Sequence, residues 1–233
     1  MANFESAIPY IKKAEGGLSR ATTDKASRNP SPYVYKGVKG WHTNKGITWT
    51  TFQSLAPKAG FEVNESNFMS MPDNVWLGIY KVGFWQPTKG DLYTSQAIAN
   101  SVVDWAWAGG TGGAKKALIQ YLATKGIKAD GYETIANGFN QLVKKDGESK
   151  AFNDLIDERK RWFKALNQPA NEKGWLARME TLRKEGSAIL GKVYQSTVKA
   201  KEVVKKNPYK VATLTAIIAL SLFVGYRLIK KNK

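Results

Sequence analysis

The stretch Ala14-Glu15-Gly16-Gly17-Leu18-Ser19-Arg20-Ala21-Thr22-Thr23-Asp24 places one carboxyl directly before two glycines and a second carboxyl nine residues further on. Upstream, Phe4, Ala7, Ile8 and Ile11 fall near helical spacing, so Glu15 is expected at a helix C-terminus with Gly16-Gly17 as the left-handed cap. The end of a helix carries partial negative charge, which disfavours an ionised carboxyl and raises its pKa; partial burial raises it further. A carboxylic acid that keeps its proton near neutral pH can protonate a leaving glycosidic oxygen, and a second carboxylate across the cleft can then act as base or nucleophile. Asp24 is the only acid between Glu15 and Glu62, which makes it the default second carboxylate. The plainer alternatives are a structural helix stop for Glu15 and a solvated loop acid for Asp24.

Other side chains narrow the chemistry. The 233-residue chain has no cysteine and one histidine, His42. Thiolate nucleophiles, cysteine-ligated metals and multi-histidine zinc sites are therefore excluded, and no cofactor is implied. Carboxylate-driven cleavage of a glycan needs none of these. Thr43 is a candidate to hold a nucleophilic water with Asp24 or in its place. Trp41, His42, Asn44 and Trp105 are the candidate substrate contacts. For the tryptophans core packing is the competing reading, and for His42 it is structural hydrogen bonding. Asp104, inside an apolar run, reads as a buried, hydrogen-bonded structural acid.

These groups need elements to hold them. Ser6 as N-cap would place Pro9 in the first helical turn, where its missing N–H does no harm. Residues 18–46 are polar and rich in Gly and Pro, so loop is expected, with short strands around Tyr33–Tyr35. Helices are expected over Ile47–Ala56 with Thr48 as N-cap, within Met71–Trp85, and over Ser95–Gly110, Gly113–Gly126, Gly131–Leu142 and Ser149–Leu166. The last has a broad apolar face of Ala151, Phe152, Leu155, Ile156, Trp162, Phe163 and Leu166. The fold class is thus mainly α: a helical domain over residues 1–182, followed by one C-terminal transmembrane helix.

Charge is uneven along the chain. Residues 1–149 carry 17 Lys/Arg against 12 Asp/Glu, and residues 150–233 carry 19 against 7. Such a surface favours anionic partners. No nucleic-acid motif accompanies the charge, so no nucleic acid is expected as a partner. The N-terminus does not read as a secretory signal. Residues 183–207 form a basic linker or helix. Val211–Tyr226 is free of charge, and Tyr209 to Ile229 as a helix would extend about 31 Å, close to the roughly 30 Å of a bilayer core. Residues 208–229 are therefore expected to cross a lipid bilayer once, leaving a basic tail at 230–233. The localisation expected is a virion membrane or a host inner membrane.

The order of motifs resembles one family. Glu15-Gly16-Gly17, a polar loop, and Thr43-Asn44-Lys45-Gly46-Ile47-Thr48 resemble the opening of the muramidases of glycoside hydrolase family 108. Val102–Gln120 is similar to that family's central helix, glycine turn and following helix. Ala129–Asn137 and Ala151–Met179 look like its predicted peptidoglycan-binding part. The resemblance implies a lysozyme-like domain, with a catalytic part over about 1–88 and a peptidoglycan-binding-like helical part over 89–182. It makes Glu15 the catalytic acid and peptidoglycan glycan strands the partner. The implied reaction is cleavage of the MurNAc–GlcNAc β-1,4 bond; joined to the expected span, this reads as a membrane-anchored enzyme, phage-encoded for wall penetration or lysis, with a bacterial tail-anchored enzyme as the remaining case. Two alternatives stay open: a lytic transglycosylase, which can work with a single Glu, and a non-catalytic wall- or membrane-binding protein. The loop departs from the family, which usually has a short D-P-x-D-x-G-G run where this chain has Arg20–His42.

Overall fold

In the computed structural model, which describes residues 1–14, 16–20 and 31–206, eight α-helices carry most of the described chain. They are α1 (Phe4–Ala14), α2 (Trp49–Leu55), α3 (Asp73–Tyr80), α4 (Gln96–Gly109), α5 (Thr111–Thr124), α6 (Tyr132–Asp146), α7 (Glu148–Ala165) and α8 (Pro169–Lys206). The mainly helical class expected from the apolar spacing is what the structure shows. Two units divide the chain, Met1–Ser187 and Ala188–Lys233. Within the second, residues 188–206 are the C-terminal part of α8.

The core of the first unit is built around α4. Ser95 caps it by accepting a hydrogen bond from the Ile98 N–H at 3.3 Å. Its run of Ala97, Ile98, Ala99, Val102, Val103, Trp105 and Ala106 is buried, because the helix packs against α1, α5 and α7 on different sides. A helix enclosed in this way has to be apolar nearly all round. The amphipathic α7 buries Ala151, Phe152, Leu155, Ile156 and Phe163, whereas Leu166 ends up exposed. Arg159 lies on the same apolar face and is fully buried.

Several details differ from the sequence expectations. The side chain of Asn3, not Ser6, caps α1 by accepting from the Ser6 N–H at 2.8 Å, so Pro9 falls inside the helix. Between α1 and α2 the chain forms more strand than expected: β1 (Leu18–Arg20), β2 (Val34–Tyr35), β3 (Val38–Lys39), β4 (His42–Asn44) and β5 (Ile47–Thr48). Residues 183–206, within the stretch expected as a basic linker or helix, are part of α8, and Arg183 hydrogen-bonds Asn153 at 2.6 Å and pairs with Asp157. Among the described residues no helix is long and apolar enough to cross a membrane; the span expected at 208–229 and the tail at 230–233 lie outside the described residues.

Candidate active site

The chain leaves α1, passes Gly16-Gly17 and enters β1, which pairs antiparallel with β4; β4 in turn pairs with β5. Leu18 lies opposite Asn44, Ser19 opposite Thr43 and Arg20 opposite His42. The Ser19 hydroxyl donates to the Thr43 carbonyl at 3.3 Å, and the Lys45 N–H donates to the Gly17 carbonyl at 3.4 Å. The backbone that follows Glu15 is thus bonded to the segment carrying Thr43 and Asn44. The β4–β5 turn is made by Lys45 (φ 45°) and Gly46 (φ 76°), and the β2–β3 turn by Lys36 (φ 48°) and Gly37 (φ 74°). Two successive positive-φ residues are the mark of the type I′ turn, whose twist matches that of the paired strands.

Glu15 and Asp24 both lie outside the described residues. Thr43 is part-buried, and its strand neighbours are Ser19 and Thr48. Trp41 is part-buried with φ 58°. A bulky residue in the left-handed region carries strain of the order of 1–3 kcal/mol, and such strain clusters at functional sites.

The other three candidate contacts face inward. His42 is fully buried, with Nδ1 2.6 Å from the Ser31 hydroxyl and its ring edge-on to Tyr35. Asn44 is 3% exposed and donates from Nδ2 to the carbonyls of Phe68 and Met69 at 2.7 and 2.9 Å. Trp105 is fully buried against Trp162 and the Arg159 guanidinium. The contacts of His42 and Asn44 hold β4 in place, and those of Trp105 join α4 to α7. Thr48 caps α2, accepting from the Thr51 N–H at 3.3 Å.

One further carboxylate at this site has no role in catalysis or binding assigned from the sequence. Asp73, the first residue of α3, accepts from Lys12 of α1 at 2.6 Å and from Lys45 of the β4–β5 turn at 2.7 Å. These three residues, with Gly16 and Trp76, line a cleft of about 130 Å³. The hydrogen bonds from Lys12 and then Lys45, reinforced by their charges, pull the Asp73 carboxyl down to about 2. It is therefore ionised at any working pH and holds no proton for a leaving group. Its partners are 61 and 28 residues away in sequence, so spacing alone gives no signal of the cluster.

Asp104 is 8% exposed and bonds Arg159 at 2.9 Å and Arg178 at 2.5 Å. Burial opposes its charge, but the two guanidinium groups outweigh burial and hold its carboxyl below the usual range. Among the described residues no group of His, Cys, Asp and Glu is arranged to hold a metal ion.

Residues 8–110 match the family model Glycosyl hydrolase 108, a segment that contains Glu15, Asp24 and the paired β1, β4 and β5. The match supports a glycoside hydrolase that degrades peptidoglycan. The solved structure of Brucella abortus SagA is similar at a TM-score of 0.57 and 24% identity, over 80% of this chain and 94% of that one. At that identity the likeness shows a shared fold. No curated protein sequence matches the chain.

Proposed function

We propose that the protein is a muramidase that cleaves the MurNAc–GlcNAc β-1,4 bond, with Glu15 as general acid. The observation that carries the reading is the pairing of β1 with β4 directly after Gly16-Gly17, inside the segment that matches the hydrolase family. Thr43 sits beside the strand that follows the acid, where it can orient a water, and Asp24 is the candidate base that activates that water. Trp41, part-buried and conformationally strained, is the candidate sugar-stacking surface. Residues 89–182 are proposed to assist binding of the glycan strand. Incubating the full chain with purified sacculi is expected to release soluble glycan fragments; sacculi left intact would overturn the reading.

The second group is tested separately. Asp24→Asn is expected to lower kcat by about 10²-fold or more, as loss of a general base does, and the wild-type product is expected to form with inverted anomeric configuration. An Asp24→Asn protein with wild-type kcat would remove Asp24 from the mechanism and leave Thr43 with water.

The setting is also proposed. Residues 208–229 anchor the enzyme in a bilayer, either a virion membrane or the host inner membrane, and a phage-encoded wall-penetration or lysis enzyme fits that arrangement. The support is the uncharged run Val211–Tyr226 between basic flanks. Full-length protein is expected to float with liposomes in about 1 M salt, where the Debye length falls to roughly 3 Å and attachment through lysines alone is released. Release by salt without detergent would contradict the anchor.

A further inference from the structure

Asp73 touches two parts of the molecule that meet beside Gly16. Lys12 stands on the last turn of α1, three residues before Glu15. Lys45 is the first of the two left-handed residues of the β4–β5 turn, directly after Thr43-Asn44. Each of the two Asp73 oxygens takes one ammonium group, Oδ2 that of Lys12 at 2.6 Å and Oδ1 that of Lys45 at 2.7 Å. The turn is held to α3 a second time by Trp76, whose indole N–H donates to the Lys45 carbonyl at 2.9 Å. The Gly16 backbone lies on the wall of the same cleft.

The side chains are open to water, with Asp73 59%, Lys12 43% and Lys45 26% exposed. Solvent-exposed ion pairs add little to folding stability, because both charges are already well hydrated and the long side chains lose freedom in pairing. One carboxylate bridging two cations fixes the distance between the end of α1 and the β4–β5 turn. Catalytic groups carried by those two elements depend on that distance, since a displacement of about 1 Å can cost on the order of 10²-fold in rate.

The geometry points to Asp73 as a positioning residue for the glycosidase reaction: by bridging Lys12 and Lys45 it sets the end of α1, which leads into Glu15, against the turn that follows Thr43. This rests on the muramidase reading above. It does not make Asp73 a catalytic residue, because it acts through the elements it joins.

The test compares Asp73→Asn, Asp73→Glu and Lys45→Met in the full-length protein, with initial rates on solubilised glycan strands and Tm recorded for each. Asp73→Asn is expected to lower kcat by about two- to fivefold, the most that so weak a bridge can enforce on the population of the aligned geometry, with KM unchanged within error, since an interaction that aligns groups only for reaction changes kcat and kcat/KM together. Tm should stay within about 2 °C of wild type. Asp73→Glu, which keeps a carboxylate, should recover most of the rate. Lys45→Met, which removes one arm of the bridge, should show the same loss of kcat at unchanged KM, so the inference stays testable if Asp73→Asn fails to fold. An Asp73→Asn or Lys45→Met protein with wild-type kcat overturns the inference, as does a loss seen only in KM or only together with a collapse in Tm. A wild-type protein without activity on glycan strands would instead be failure of the muramidase reading, so the two failures are distinguishable.

Discussion

Glu15→Gln is expected to reduce wall-lysing activity by about 10²–10⁴-fold, the usual contribution of a general acid, with Tm essentially unchanged. The substitution keeps the shape of the side chain and deletes only the transferable proton. The carboxyl belongs to a residue that follows α1 directly and precedes the glycines leading into β1, and helix ends disfavour negative charge. Turbidity clearing of sacculi by the variant, measured beside the wild type, reads the effect. Retention of more than about a tenth of the wild-type rate would take Glu15 out of the acid role.

The largest expected effect on stability comes from Asp104. Asp104→Asn leaves Arg159, fully buried, and Arg178 without their shared anion. Breaking a buried ion pair by removing one partner typically costs about 3–5 kcal/mol, because an uncompensated charge remains inside. Urea unfolding should show a loss of that order, and Asp104→Leu combined with Arg159→Met should recover a large part of it, since apolar replacements remove both desolvation penalties. A loss below about 1 kcal/mol for the single substitution would mean that the guanidinium groups are rehydrated without strain. The same group fixes the acid limb of stability. Its pKa is depressed in the folded state, so its contribution is fully present above the unfolded value of about 3.9. As pH falls below that value toward the lower folded pKa, the contribution is lost progressively. Stability measured down from pH 5 should therefore begin to drop near pH 4.

How far the sequence alone reaches can be seen element by element. The α4 helix was legible because Ser95 is a good cap and a long apolar run follows it; α7 was legible because its apolar residues recur at helical spacing. The family resemblance was legible in the order of its motifs, and the match over residues 8–110 agrees with it. The β-hairpins were harder to read. Their strands are two or three residues long, too short for alternation to register, and their turns use Lys-Gly where Asn-Gly or Asp-Gly is the stronger signal.

The strand geometry bears on the candidate contacts. In a strand, successive side chains point to opposite faces, so His42 and Asn44 must share one face and Thr43 the other. The structure buries the pair and leaves Thr43 part-exposed. Read as loop, His42-Thr43-Asn44 carries no such alternation. Trp105 was ambiguous for another reason: an aromatic on a helix enclosed on several sides looks the same in sequence as one facing a ligand. The Asp73 bridge was not legible at all, since it depends on α1, the β4–β5 turn and α3 converging in space.

The most direct test of the central claim is mass spectrometry of the soluble fragments released from purified peptidoglycan by the full-length protein. A muramidase adds water across the MurNAc–GlcNAc bond, so the fragments are expected to end in reducing muramic acid. Fragments ending in 1,6-anhydromuramic acid, or in reducing glucosamine, would contradict the assignment.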